Sequence, residues 1–284
     1  MIGLRPTRAV VSLDAIARNY HAIRALVPAG CDVMPVVKAD AYGHGAGPVS
    51  MRLQQAGARH FAVAVAEEGG ELRREGITGE ILVMGYLGED QLPDLVRHGL
   101  VPNAHSMPLL VALAAFARGR GIELPVHLKL DTGMTRLGIP VSELGEAIAI
   151  LREATGLRLA GTFQNFASAD DPGSSQTLSQ LGAFASAVRA LGAAGLDPGV
   201  LHVGNSAGTL LPREWPGDLP GPHRARPGLA LYAPFPGVFE DLEDAMAFVS
   251  VVDQVKVVPA GARVGYGGTF VAERDTRVGI VPAG

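Results

Sequence analysis

The sequence predicts an α/β protein: a (β/α)8 TIM-type barrel followed by an incomplete C-terminal all-β domain. Three observations carry that prediction. Short apolar, β-branched runs alternate about eight times with longer segments of helical period. Several of those runs end in a polar residue, and the alternation stops after Tyr232. Eight such units in about 240 residues suffice to close a barrel, whose loops after the strands then build the active site.

In order, the strands are expected at Asp32–Val37, Phe61–Val65 and Ile81–Met84, with a weaker one at Leu100–Asn103. Val126–Asp131, Leu159–Phe163, Val200–Val203 and Ala225–Tyr232 complete the eight. Helices are expected at Leu13–Leu26, Gly47–Ala56, Glu67–Glu75, Leu109–Arg118, Val141–Thr155 and Ser175–Leu191, several opening on the Asp, Ser or Pro that starts a helix. The run APFPG from Ala233 breaks regular structure, after which Ala247–Val258 and Arg277–Val281 read as strands. The expected division is residues 1–240 for the barrel and 241–284 for the β domain, with a first strand at about 8–14 pairing with the β domain. Leu242 to Gly284 is shorter than an independent domain usually needs, so a chain truncated at its C-terminus is expected.

Composition removes several function classes. With 48% hydrophobic and 18% charged residues the chain is globular, not disordered. The net charge of −4, without a long basic run, argues against a nucleic-acid partner. Cys31 is the only cysteine, which excludes an intrachain disulfide and multi-thiolate zinc sites and fits a reducing cytoplasm. The start MIGLRPTRAVVSLD lacks the apolar stretch of a secretion signal. No segment approaches about 18 uninterrupted apolar residues, so no membrane partner is expected. The 8 histidines form no ligand-spaced cluster, so no metal is expected. His127 and His202 are placed in the barrel interior, and His44 beside Lys38 as a supporting group.

Lys38, in Val36-Val37-Lys38-Ala39-Asp40-Ala41-Tyr42-Gly43-His44-Gly45, ends the first barrel strand. An amine there enters the barrel mouth, where it can attack a carbonyl and later act as a general base. Position alone would more often mean a snorkelling lysine at a strand edge. The surrounding motif decides between them: VVKADAYGHG closely resembles the pyridoxal-phosphate lysine motif of alanine racemases, a family with a (β/α)8 barrel and a β domain. The likeness continues in AVVSLDAIARNY from Ala9, KLDTGMTRLG from Lys129, GNSA from Gly204, RPGLALY from Arg226 and VGYGGTF from Val264, in the family's order.

The resemblance implies a pyridoxal 5′-phosphate enzyme interconverting L- and D-alanine, the latter a bacterial cell-wall precursor, in the cytoplasm and as a homodimer. Lys38 would hold the cofactor as a Schiff base and act as one base, and Tyr266, supplied across the dimer interface, as the other. Two bases on opposite faces invert a centre where one would tend to retain it. Arg226 would pair with the pyridine nitrogen. Tyr42, Ser206 and the amides of Gly228 and Leu229 would bind the phosphate, with Asn205 and Tyr232 in the cofactor set and Asn205 equally readable as a helix cap. Arg136 would face the cofactor's phenolic oxygen and the substrate carboxylate. Lys129 is in many relatives carbamylated to orient that arginine.

Two departures from the family pattern stand out. Asn165, in Gln164-Asn165-Phe166-Ala167, occupies the position of a histidine that usually lies against the cofactor ring. The family's later Tyr-Ala-Asp-Gly segment, which lines the substrate entrance, does not follow Val281-Pro282-Ala283-Gly284. Alternatives are a broader amino-acid racemase or decarboxylase on the same fold, a non-catalytic cofactor-binding barrel, and a fragment that keeps the fold without the activity.

Overall fold

The computed structural model describes residues 6–171, 173–210, 219, 221–234 and 240–283. The chain divides into two compact units: Leu13–Ala245, and Met1–Ser12 together with Met246–Gly284.

The larger unit is a ring of eight parallel strands: Cys31–Val33, His60–Val63, Glu80–Val83, Asn103–Ala104, Leu124–Asp131, Leu157–Phe163, Val200–His202 and His223–Ala225. Ladders join most neighbours, including the eighth strand to the first. The bridges Val36 to Ala62 and Leu82 to Val101 close the two remaining gaps. Helices cover the outside, so strands such as His60–Val63 and Glu80–Val83 are buried on both faces beyond their first residue and read there as continuous apolar runs. Met34, Val36, Ala62, Leu82 and Val101 form one core cluster of the barrel. At Gly161 an added Cβ would stand 2.8 Å from the His127 ring, so glycine there makes room for a histidine inside the barrel.

Three expectations need correction. The eighth strand is His223–Ala225, not Ala225–Tyr232, and Leu229–Leu231 is a 3-10 turn. Pro227 has no N–H to continue a ladder, although its carbonyl still accepts from the Val36 N–H at 2.9 Å. Ala247–Val258 is two strands, Met246–Val249 and Gln254–Val258. A short helix, Leu92–Arg97, was not expected; Pro93 sits at its first turn, where a missing N–H costs nothing. Residues 235–237 of the APFPG run lie outside the described residues.

The smaller unit is built from antiparallel pairs. Arg8–Val11 pairs with Met246–Val249, Gln254–Val258 with Thr276–Ile280, and Arg263–Val264 with Phe270–Val271. The N-terminal strand ends at Val11 because the helix Leu13–Leu26 begins two residues later, with Asp14 in its first turn. Tyr266–Gly268 is a single 3-10 turn in this unit.

At the N-terminal ends of the barrel strands lies an ionic cluster. His60 Nε2 is 3.1 Å from Asp32 Oδ2, His60 Nδ1 is 3.6 Å from Glu80 Oε1, and Arg224 pairs with Glu80. The His60 hydrogen bond holds the Asp32 carboxyl down at about 2. Burial pushes the Glu80 carboxyl up, but His60 and Arg224 outweigh it and hold it at about 2. Both carboxylates therefore contribute stability above their unfolded values near 4, and that contribution is lost as the pH falls from there towards about 2. The thermal midpoint is expected to drop steeply across that window, and less steeply in Glu80→Gln. Equal acid slopes in the two proteins would remove the cluster from the account of acid stability.

Candidate active site

At the C-terminal ends of the strands opens a cavity of about 530 Å³. Every loop that the barrel presents there except the fourth contributes a lining residue: Lys38 and Tyr42 after the first strand, Ala64 after the second, and Met84 and Gly85 after the third. Lys129 on the fifth strand and Arg136 beyond it, Phe163 and Asn165 from the sixth, Asn205 and Ser206 from the seventh, and Arg226, Gly228 and Leu229 from the eighth complete the wall. Ten of the residues singled out in the sequence thus meet in one cavity. Tyr232 and Tyr266 are not among them.

Lys38 opens an unusual local structure. Ala39, Asp40, Ala41 and Tyr42 are all left-handed, with φ between 51° and 55°. None is glycine, and each costs roughly 1–2 kcal/mol relative to a right-handed residue. Hydrogen bonds hold the turn: Ala46 N–H donates to Asp40 Oδ1 at 2.6 Å, Gly45 N–H to Asp40 O at 3.0 Å, and Ala39 N–H to Glu68 Oε1 at 2.7 Å. His44 Nδ1 lies 3.0 Å from Ala41 O, and the His44 ring stacks on Tyr232 at 4.6 Å. The inverted turn brings Tyr42 back beside Lys38, whose Nζ stands 5.8 Å from the centre of the Tyr42 ring.

Tyr232 calls for a correction. It is buried behind Tyr42, with ring centres 5.3 Å apart, and its hydroxyl donates to Val36 O at 3.1 Å. That donor is spent on the backbone, so Tyr232 supports the site from outside the cavity instead of lining it.

Arg226 is 4% exposed. It donates to His202 O at 2.6 Å, to Gln164 O at 2.7 Å and to Asn165 Oδ1 at 3.4 Å, and packs over the Phe163 ring. Burial pushes its guanidinium down to about 9, which leaves it charged at neutral pH. Because a guanidinium only donates, His202 Nδ1, 3.1 Å away, must accept. His202 Nε2 then carries the proton and donates to His127 Nδ1 at 2.8 Å, so both histidines are neutral with fixed tautomers. Burial pushes His127 down to about 3 and His202 well below its ordinary value.

Lys129 is 6% exposed, and burial, followed by Arg226 and Arg136, pushes its amine down to about 8. It donates to Met84 O at 3.4 Å. Asp131, two residues on, does not pair with it: Asp131 Oδ1 accepts from the Gly133 and Thr135 amides, both at 3.0 Å. Arg136 follows Thr135, itself left-handed at φ 55°, and stays exposed.

The opposite wall is rich in donors. Ser206 Oγ accepts from Gly228 N–H at 2.9 Å and Ala230 N–H at 3.3 Å, drawing together the loops after the seventh and eighth strands. A Cβ on Gly228 would lie 2.5 Å from the Tyr42 hydroxyl oxygen, so only glycine lets that hydroxyl and the backbone approach. Asn205 caps the following turn: its Oδ1 accepts from Gly208 N–H at 2.9 Å, and its Nδ2 donates to Phe166 O at 3.2 Å. Asn165 Nδ2 donates to Met134 Sδ and Phe166 O, both at 3.2 Å. Tyr266 lies in the smaller unit with its ring fully exposed.

Sequence reasoning did not single out Phe163, Met84, Ala64 or Asp170 as lining residues, nor Glu68 as an anchor of the turn. Phe163 could have been found, since it is the last residue of an expected strand, the position that faces the barrel mouth. Glu68 gives no such signal, because its partner is 29 residues away.

The family model described as "Alanine racemase, N-terminal domain" matches residues 11–236, and "Alanine racemase, C-terminal domain" matches residues 245–284. An alanine racemase of Desulforamulus reducens is 35% identical over 285 residues, covering 98% of this chain and 76% of the relative. One of Geobacter sp. strain M21 is 38% identical, with 99% and 75% covered. Among solved structures, alanine racemase from D-cycloserine-producing Streptomyces lavendulae superposes with a TM-score of 0.88 at 33% identity, covering 99% of this chain and 74% of that one. That from Streptomyces coelicolor gives 0.87 at 32% identity, with 98% and 74% covered. The chain thus spans about three quarters of the length of these relatives.

Proposed function

The chain belongs to the alanine racemase family, an isomerase acting between L- and D-alanine, and we propose that it works with pyridoxal 5′-phosphate in the barrel cavity and with Lys38 and Tyr266 as its two bases. The observation that carries this reading is the convergence of Lys38, Tyr42, Ser206, Arg226 and the Gly228 backbone on one cavity.

The donor set suits the cofactor. Among the described residues, four cationic side chains, Lys38, Lys129, Arg136 and Arg226, line the cavity against one acid, Asp170, which favours a ligand carrying a phosphate and a carboxylate. The Ser206 hydroxyl, the Tyr42 hydroxyl and the Leu229 amide would hold the phosphate, joined by the Gly228 amide once it exchanges its bond to Ser206 Oγ for one to the ligand, at the loops where barrels usually bind one. Bound pyridoxal phosphate supplies an electron sink for the charge left at Cα when its proton departs.

The side chains do the rest. Lys38 would anchor the cofactor and move the Cα proton on one face of the amino acid, and the Tyr266 phenol would move it on the other. Arg226, fixed by acceptors on its other nitrogens, would donate to the ring nitrogen and leave it unprotonated. A carboxylate there would do the reverse, so Arg226 favours racemisation over decarboxylation. Arg136 would take the substrate carboxylate as a forked donor. Tyr266, exposed in its own chain, would be supplied by a second copy in a homodimer, in the cytoplasm.

The reading is tested by adding pyridoxal phosphate, reducing with borohydride and locating the label by peptide mass. Label on Lys38 is expected; label on Lys129 or Lys256 instead would overturn the assignment. Measured carbon dioxide release in place of racemisation would favour a decarboxylase.

Two further expectations concern its neighbours. Lys129, with its amine lowered and two arginines nearby, is set to lose one proton from its ammonium form and a second as Nζ adds carbon dioxide, turning a buried cation into an anionic acceptor for Arg136. Native intact mass should show one added carbon dioxide that disappears in Lys129→Ala; its absence from the parent would refute the modification. Asn165→His should retain or raise turnover, because an imidazole offers a larger face to a bound ring while the Arg226 contact can be kept. A large loss of turnover with cofactor still bound would give Asn165 a role of its own.

A further inference from the structure

A four-residue left-handed turn of non-glycine residues does not hold itself, and one of its anchors comes from another element. Glu68 lies in the first turn of the helix Ala66–Arg74, directly after the second barrel strand. Its two carboxylate oxygens face different ways. Oε2 accepts from Ala64 N–H at 2.7 Å and from Val65 N–H at 3.3 Å, while Oε1 accepts from Ala39 N–H at 2.7 Å. All three donors are backbone amides, and the helix N-terminus favours the charge.

The Ala39 N–H belongs to the peptide that joins Lys38 to the left-handed turn. Fixing that hydrogen fixes the plane of the peptide, and with it the direction in which the Lys38 side chain leaves the backbone. Ala64, at the other end of the bridge, lines the cavity. The turn's bonds through Asp40 and His44 close within residues 40–46, and Ala41 N–H donates to Val37 O at 3.0 Å across Lys38, so the Glu68 bridge is the side-chain tie to the peptide that follows Lys38.

We propose that Glu68 is a positioning residue: by tying the Lys38–Ala39 peptide to the end of the second strand, it sets where the Lys38 amine stands in the cavity. This rests on the reading of Lys38 as the cofactor lysine, and its test therefore includes a measurement that needs neither cofactor nor substrate.

In Glu68→Ala the three amides lose their acceptor. Glu68→Gln keeps the shape but must aim an NH2 group at one set of N–H donors, and Glu68→Asp keeps the charge with a shorter reach. In the cofactor-free protein, hydrogen exchange over residues 38–43 should quicken about tenfold or more in Glu68→Ala. With cofactor, its affinity should weaken about tenfold and kcat should fall about tenfold or more, with KM for alanine nearly unchanged. Glu68→Gln should lie between the alanine variant and the parent. Leu191→Ala, in the buried face of the helix Ser175–Ala193 and outside the cavity, serves as a control for lost stability alone.

Exchange within about twofold of the parent in Glu68→Ala would show that the turn does not depend on the bridge, and would overturn the proposal. So would faster exchange with unchanged cofactor affinity and kcat, or equal effects from Leu191→Ala at matched thermal midpoint. If the parent itself fails to attach pyridoxal phosphate at Lys38, the reading of the site fails, and the exchange data distinguish that result from loss of the bridge.

Discussion

Lys38→Ala is expected to reduce racemisation about 10⁴-fold, because it removes the cofactor's anchor and one of the two bases in a single change. Borohydride-fixed label should vanish from the chain, while the thermal midpoint of the cofactor-free protein stays close to the parent's. That combination follows from the geometry. The lysine is only partly buried, with its amine in a cation–π contact with Tyr42, so its loss leaves no cavity in the core. A variant that retained a substantial fraction of parental turnover would require another amine to take the role, and Lys129, at the far wall of the same cavity, is the one that label should then mark.

The second large effect is directional. Tyr266→Ala should leave attachment at Lys38 intact but slow removal of the L-alanine Cα proton about 10²–10⁴-fold, with the D-alanine proton much less affected. Because the two enantiomers are equal in free energy, net racemisation must fall equally in both directions. The difference appears only in exchange of the Cα proton with deuterated water before inversion. D-alanine should still exchange, through Lys38, and L-alanine should not. Equal slowing of both exchanges would contradict separate roles. If Tyr266 acts in the cavity of a second copy, mixing Lys38→Ala with Tyr266→Ala protein should restore part of the activity, since a mixed pair contains one intact site. A mixture no more active than its parts would place both residues in the same chain.

Much of the barrel could be read from the sequence because its signal is local. Parallel strands buried on both faces need runs such as Phe61–Val63 and Ile81–Val83, and the intervening helices need caps. The sequence places the eighth strand too late because Leu229, Ala230 and Leu231 are as apolar as a strand, yet Pro227 and Gly228 turn the backbone away before them. The break inside Ala247–Val258 was hidden in the same way, by the apolar Val251 and Val252. Fourth among the barrel strands, Asn103–Ala104 is so short that bridges replace half of its pairing.

What the sequence determined by itself was the chemistry available: an amine after a strand, a guanidinium where an acid would change the reaction, and a hydroxyl and glycine for an anion, each fixed by residue type in a recognisable order. What only the folded chain decided was which of these groups are held, and by what. The left-handed sense of residues 39–42, the three amides gathered by Glu68, the forced tautomers of His202 and His127, and the withdrawal of Tyr232 behind Tyr42 all join residues far apart in the chain. Hydrogen bonds and burial at such separations depend on distance in space, which spacing along a sequence does not encode.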